Sequence, residues 1–204
     1  MKLEKKLLIA IGREYGSGGR VIAEELGKRL DIPVFDKNMI SMIAKKHGFD
    51  EDTLTSEDER LSSPFLEPYI PYGLNSGALS ERLFTLQSKI IREEADKGSA
   101  IFVGRCADDI LKKYDGLVRI FIYAPRNDRI ARIMEREQIE DNLAADKIVK
   151  RTDKARKSYY QFYTDKKWES YASRDLMINS AVLGIDGTVD LILSFLKGAG
   201  YISN

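Results

Sequence analysis

A glycine-rich segment near the start of the chain has the residue types and spacing of a phosphate-binding loop. Residues 16–19 read Gly-Ser-Gly-Gly; they follow an apolar run at 7–11 and overlap the start of an amphipathic stretch at 18–30. A strand, a glycine-rich loop and a helix in this order turn backbone N–H groups and a helix N-terminus toward one point, where an anion can bind. The segment therefore predicts a site for a phosphate, and most simply for a nucleotide. A tight strand-to-helix turn without a ligand is the alternative.

The loop departs from the Walker A motif, G-x-x-x-x-G-K-[ST], at positions that carry chemistry. When Gly18 is aligned with the second glycine of the motif, Gly19 stands in place of the lysine, Arg20 in place of the Ser/Thr, and Arg13 in place of the first glycine. The lysine of that motif binds the β- and γ-phosphates, and the hydroxyl binds Mg²⁺. Arg13 and Arg20 are thus the candidates to replace the missing charge, and Ser17 is the remaining hydroxyl that could reach the metal.

The same glycines partly match the dinucleotide motif, G-x-G-x-x-G. Gly16 and Gly18 fit its first two positions, but Val21 occupies the third, which needs a small residue for helix–strand packing. Asp36 lies 20 residues after Gly16, where an acid that binds the ribose would stand. A dinucleotide-dependent oxidoreductase therefore remains an alternative, which Val21 disfavours.

Composition restricts the function further. The chain has 204 residues, and its 33 basic and 32 acidic side chains give a net charge of +1. This balance gives no electrostatic reason to expect nucleic-acid binding. A lone cysteine, Cys106, and a lone histidine, His47, exclude an intrachain disulfide and make a zinc centre unlikely on chemical grounds. No stretch approaches the roughly 18 apolar residues of a membrane span, so we expect a cytoplasmic protein that binds no membrane. The oligomeric state does not follow from the sequence.

Short apolar runs alternate with helical patterns along the chain, which predicts an α/β protein. The five predicted strands are 7–11, 32–35, 100–103, 117–123 and 176–178. Such runs, joined by helices, indicate a parallel sheet covered on both faces, a three-layer α/β/α arrangement. Ligands of these sheets bind beyond the carboxyl ends of the strands. That rule singles out the glycine-rich loop, Asp36, and the Gly-Arg pair 104–105.

Two segments interrupt the alternation. Residues 48–78 are acidic and then rich in proline, and residues 135–172 are rich in basic residues and tyrosine. The basic run holds Arg151 and Arg156, and it follows the fourth predicted strand on the ligand-binding side of the sheet. A solvated helix face is the usual explanation of such a run, but its position favours a role at a phosphate.

With these residues on the page, the chain resembles the nucleoside monophosphate kinases, and among them most closely the cytidylate kinase-like family. The resemblance covers nearly the whole chain and runs through residues 12–20, 32–36, 103–105, 153–160 and 175–180. It implies one P-loop kinase-like domain over 1–204. Its parts would be a core (1–47, 79–134 and 173–204), an acceptor-binding insertion at about 48–78, and a lid at about 135–172.

The resemblance also implies a reaction, phosphoryl transfer from ATP with Mg²⁺ to a nucleoside monophosphate, with CMP or dCMP as the first candidate. The family's pattern has an acid after Gly-Arg, where this chain has Cys106, so Asp108 becomes the candidate for that role. The predicted site residues fall into three groups: Arg20, Arg151 and Arg156 for catalysis; Arg13, Gly16, Ser17, Gly18, Gly19 and Arg20 for the ATP phosphates; Asp36, Arg105 and Asp108 for the acceptor.

Two alternatives stay open. Asp36 could instead cap a helix that begins at residue 37, and the whole protein could be a nucleotide sensor that binds without catalysis, because the Walker lysine is missing. Arg151 and Arg156 lie five residues apart, about 140° around a regular helix. We therefore expect only one of them to face the phosphates directly, and we favour Arg156.

Overall fold

A parallel five-stranded sheet forms the centre of the molecule, with helices on both faces. The computed structural model describes residues 1–36 and 76–203. The strands are β1 (Lys2–Leu3), β2 (Leu8–Arg13), β3 (Val34–Phe35), β4 (Ala100–Val103), β5 (Leu117–Tyr123), β6 (Leu176–Asn179) and β7 (Ile202–Ser203). The helices are α1 (Gly19–Leu30), α2 (Ser76–Lys97), α3 (Ala107–Ile110), α4 (Arg126–Glu137), α5 (Asn142–Thr164) and α6 (Ser180–Gly198), with a 3₁₀ turn at Tyr171–Ser173. The predicted α/β class and the five-stranded parallel sheet are confirmed.

The strand order decides between the two nucleotide-binding folds that the sequence left open. The order is β3-β4-β2-β5-β6, so the strand that leads into the glycine-rich loop is central. Ile9 of β2 lies opposite Ile101 of β4 on one side and Val118 of β5 on the other. In a dinucleotide-binding sheet the first two strands of the βαβ unit are neighbours, whereas here β4 separates β2 from β3. The oxidoreductase alternative is therefore wrong for this fold.

The central strand is buried from both sides. Ile9 and Ile11 pack toward α1 and α6, in a cluster with residues such as Ile22 and Leu26. Leu8 and its alternate neighbours pack toward α2 and α3 on the opposite face. Full burial of an aliphatic side chain of this size contributes roughly 1.5–3 kcal/mol before entropy is counted. The carboxyl end of β2 is consequently a firmly held platform for the loop that follows.

Helices α4 and α5 occupy most of the segment that the sequence predicts to be a lid. They pack on each other through Ile130, Ile133, Ala145 and Val149. The side chain of Asp141 caps α5 by accepting a hydrogen bond from the Leu143 N–H at 2.9 Å. The division of the chain into core, insertion and lid stays a prediction.

Several predicted elements differ from the structure or lie beyond it. Helix α3 ends at Ile110 rather than at 113, and α6 begins at Ser180 rather than at 186. The helix predicted at 37–47 and nearly all of the insertion predicted at 48–78 lie outside the described residues. Within the described ranges, no helix has both the length and the apolar character needed to cross a membrane.

Candidate active site

The glycine-rich loop adopts the conformation that an anion cradle needs. Gly16 and Gly18 have φ angles of +81° and +79°, a region that residues with a Cβ rarely adopt. Helix α1 begins at Gly19, and no side chain caps its N-terminus. The first-turn N–H groups of α1 therefore have no side-chain acceptor, which suits a phosphate oxygen.

Ser17 is turned into the protein rather than toward a ligand. Its side chain is completely buried, and its hydroxyl donates to the Glu14 carbonyl at 2.9 Å. The Ser17 carbonyl in turn accepts a hydrogen bond from Ser180 Oγ at 2.6 Å. This arrangement stabilises the loop and gives no support to Ser17 as a hydroxyl ligand of Mg²⁺. In the described part of the chain, no cluster of three His, Cys, Asp or Glu side chains could hold a metal ion.

Arg129 of α4 holds the first residues of the loop from behind. Its guanidinium donates to the carbonyls of Ala124 at 3.0 Å and Tyr15 at 3.1 Å. It also pairs with Asp153 of α5 at 2.5 Å and with Glu14 at 3.2 Å. Asp153 accepts a further hydrogen bond from the Tyr15 N–H at 2.8 Å. No motif in the sequence singles out Arg129, although it organises this side of the loop.

Arg13 lies between the glycine-rich loop and the end of β4. Its Cβ would be 2.6 Å from a Cβ built on Gly19, and its Nη1 would be 2.1 Å from a Cβ built on Gly104. Arg156 of α5 donates to the Arg13 carbonyl at 3.0 Å. Burial, and then the nearby charges of Arg156 and Arg105, hold the pKa of Arg13 well below its usual value. These arginines form a cluster that disfavours its own charge and would be stabilised by an anion.

Arg20 and Asp36 pair with each other. Arg20 Nη2 lies 3.0 Å from Asp36, and Arg20 Nε lies 2.9 Å from Glu24, one turn along α1. The Arg20 side chain is 59% exposed, in contrast to the arginines of the cluster. The pair therefore ties the first turn of α1 to the end of β3.

The turn after β4 is strained at the point where Arg105 leaves the sheet. Gly104, Arg105 and Cys106 are three consecutive residues with φ angles of +78°, +55° and +56°. A non-glycine residue in this region costs of order 1–3 kcal/mol, and such strain concentrates at functional sites. The Arg105 guanidinium lies 5.6 Å from the centre of the Tyr159 ring of α5.

Asp108 is engaged in a buried network. It accepts a hydrogen bond from the Tyr160 hydroxyl at 2.6 Å and forms an ion pair with Arg174. The Arg174 side chain is 1% exposed and also donates to the Trp168 carbonyl at 3.1 Å. Asp108 thus links α3 to α5 and to the start of β6, and the sequence gave no sign of its partner.

A cavity of about 240 Å³ joins these features at the carboxyl ends of β2 and β4. Charged, aromatic and small residues line it: Arg13, Arg105, Arg156, Arg174, Asp108, Tyr159, Tyr160, Trp168, Gly12, Gly104 and Cys106, among others. Of the charged lining residues that the structure describes, four are arginines and one is a carboxylate, which favours an anionic ligand. Arg156 faces this cavity, whereas Arg151 is exposed on α5 and does not line it. The structure therefore does not bring Arg151 to the predicted site.

Comparison with solved structures supports the fold and extends over almost the whole chain. An uncharacterized protein from Eubacterium ventriosum superimposes with a TM-score of 0.74 at 28% identity, covering 94% of this chain and 99% of that one. A shikimate kinase from Acinetobacter baumannii, in complex with shikimate, gives 0.54 at 12% identity, covering 96% and 95%. A gluconokinase from Sinorhizobium meliloti gives 0.56 at 11% identity, covering 96% and 94%. At these low identities the two kinases show the fold alone.

Sequence relatives point to one family. The cytidylate kinase of Methanococcus aeolicus is 32% identical over 102 residues, which is 49% of this chain and 57% of the relative. The cytidylate kinase of Staphylothermus marinus is 29% identical over 105 residues, 52% of this chain and 58% of the relative. The match thus spans little more than half of each relative's length. The model of the family described as cytidylate kinase-like matches residues 8–182. The chain belongs to the cytidylate kinase-like family.

Proposed function

We propose that the protein transfers the γ-phosphoryl group of ATP to the phosphate of a nucleoside monophosphate, with CMP or dCMP as the first candidate acceptor. The observation that carries this proposal is the arginine-lined cavity beside an uncapped helix N-terminus at the carboxyl edge of the sheet. Two adjacent anion sites are what transfer between two phosphates requires. Family membership supports the reaction class, and the names of the two sequence relatives support the acceptor.

In this proposal the donor phosphates lie on the loop 16–19 and the first turn of α1. The acceptor phosphate lies in the cavity, where Arg105 contacts it through its planar guanidinium. Asp36 and Asp108 lie at the ends of β3 and β4 and help to position the acceptor, Asp108 through its network with Arg174. Mg²⁺, when bound, neutralises charge on the donor phosphates. Its ligands would be phosphate oxygens and water, because the described residues offer no acidic cluster.

The transfer needs no proton from the protein. An oxygen of the acceptor phosphate attacks the γ-phosphorus, the bond from that phosphorus to the bridging oxygen breaks, and ADP leaves with the electron pair. Negative charge spreads over the equatorial oxygens of the transferring group. Arg156, held by the Arg13 carbonyl at the mouth of the cavity, stabilises that charge. Helix α5 covers the cavity and excludes water that would otherwise hydrolyse ATP.

The test is a transfer assay with ATP, Mg²⁺ and a panel of nucleoside monophosphates, in which ADP and the diphosphate product are both quantified. We expect transfer to CMP or dCMP above all other acceptors. ATP binding without transfer to any monophosphate would contradict the proposal and favour the nucleotide sensor.

A glycine variant tests the phosphate cradle itself. Gly18→Val places a Cβ about where Ile185 Cδ1 lies, at 2.5 Å, on a backbone with positive φ, so we expect ATP binding to be lost. Gly98→Ala is the matched control, because a Cβ at Gly98 meets nothing within 4 Å. Unchanged ATP affinity in a folded Gly18→Val protein would count against the cradle.

A further inference from the structure

We propose that Arg13 supplies the catalytic cation that a lysine supplies in a Walker A loop, and that Gly19 lacks a side chain because Arg13 fills its space. The glycine and the long cation of the motif have in effect exchanged positions. The kinetic part of this inference rests on the proposed phosphoryl transfer, whereas its binding part needs only ATP.

The stem of Arg13 occupies the volume beside residue 19. A Cβ on Gly19 would lie 2.6 Å from Arg13 Cβ and 3.1 Å from Arg13 Cγ. Carbon atoms that are not bonded approach to about 3.5–4.0 Å. A side chain at position 19 and the present side chain at position 13 therefore exclude each other.

The guanidinium of Arg13 extends from the donor loop toward the acceptor turn. Its Nη1 lies so close to Gly104 that a Cβ there would be 2.1 Å away. Gly104 immediately precedes Arg105, the residue that we assign to the acceptor phosphate. Arg156 fixes the other side of Arg13 by donating to its carbonyl. A cation in this place lies between the two phosphates, where the transferring group must pass.

Charge favours Arg13 over Arg20 for this role. Arg13 is surrounded by Arg156, Arg105 and Arg20, with Asp36 as an opposing charge, so a bound phosphate would relieve repulsion between guanidinium groups. Arg20 has carboxylates at 2.9 and 3.0 Å and is mostly exposed. A cation already satisfied in this way gains less from a phosphate.

An exchange of residues tests the inference directly. The variants are R13G, G19K, the double variant R13G/G19K, and R13K, each compared with the parent by melting temperature, turnover and ATP affinity. We expect R13G to lose about 10²-fold or more in turnover, the usual effect of removing one charge-stabilising group. G19K alone should also lose activity, because the new stem collides with Arg13.

The double variant is decisive because it rebuilds the order of the Walker motif. We expect R13G/G19K to regain about tenfold or more over R13G and R13K to keep intermediate turnover with a folded protein. A folded R13G with turnover close to that of the parent would overturn the inference. So would a folded double variant that is no more active than R13G.

Failure of the proposed function gives a different pattern. If the parent transfers phosphate to no monophosphate, the same four variants are compared by calorimetric titration with ATP. The inference then requires R13G to bind ATP about tenfold more weakly or worse and R13G/G19K to restore the affinity. Equal ATP affinity in R13G and the parent would refute the role of Arg13 whatever the reaction proves to be.

Discussion

Replacing Arg129 by methionine should destabilise the protein strongly, because it leaves two carboxylates unpaired behind the glycine-rich loop. Arg129, Glu14 and Asp153 have side chains only 10%, 15% and 12% exposed. Removing one partner of a buried ion pair costs about 3–5 kcal/mol. For a chain of this length, that loss corresponds to a fall of roughly 6–20 °C in melting temperature. Urea unfolding and thermal melting measure it.

A matched control separates burial from charge. Arg126→Met lies on the same helix and also breaks a pair with a carboxylate, Asp146, but the Arg126 side chain is 47% exposed. An exposed pair contributes about 0–1 kcal/mol, so this variant should melt close to the parent. Adding Asp153→Asn to Arg129→Met should recover part of the loss, since one of the stranded charges is removed.

The pH dependence has a definite sign. Burial already raises the pKa of Glu14, with the Ala124 N–H and Arg129 acting in the opposite direction, and loss of Arg129 raises it further. A carboxyl group whose pKa is higher in the folded state loses stability as the pH rises from the unfolded value, about 4.3, through the folded value. The deficit of Arg129→Met should therefore be larger at pH 8 than at pH 5. A deficit below about 1 kcal/mol at every pH would refute the role of this cluster.

Three further outcomes are expected. Arg156→Ala should lower turnover about 10³-fold, in line with arginines that stabilise phosphoryl transfer, while Arg151→Ala on the same helix changes it by no more than about twofold; equal effects would contradict the assignment. Ser180→Ala should cost about 1–3 kcal/mol in urea unfolding, because the buried Ser17 carbonyl loses its donor, and an unchanged midpoint would disprove this. Cys106, whose thiol pKa is raised by burial and by Asp108, should resist alkylation in the native protein under conditions that label the urea-unfolded chain completely; rapid native labelling would be the contrary result.

The fold was predictable because its signals are local. The apolar run of β5 and the amphipathic pattern of α4 have the same bounds in the sequence pattern and in the structure. Helical spacing alone predicted that Arg151 and Arg156 could not both face one phosphate, and only Arg156 lines the cavity. The first turn of α6 escaped the pattern because Gly184 interrupts the helix four residues after its start.

The supporting residues of the site were not predictable, because their partners are distant in the sequence. Arg129 pairs with Asp153 across 24 positions, and Arg174 pairs with Asp108 across 66. Nothing in a local pattern distinguishes such an arginine from one on a solvated surface. The choice between Arg13 and Arg20 likewise needed three dimensions, since it depends on the space beside Gly19.

Helix α5 touches the peptide backbone of the loop at two places, the Arg13 carbonyl through Arg156 and the Tyr15 N–H through Asp153. The same helix forms one wall of the acceptor cavity. Whatever free energy an acceptor contributes to seating α5 is therefore shared with the donor site, and thermodynamic reciprocity makes the coupling equal in both directions. Such couplings typically change affinity by about 5–150-fold. The two substrates should thus bind synergistically, with ATP sharpening the affinity for the acceptor by the same factor as the acceptor sharpens the affinity for ATP, and titrations of each ligand with and without a non-transferable form of the other measure that factor.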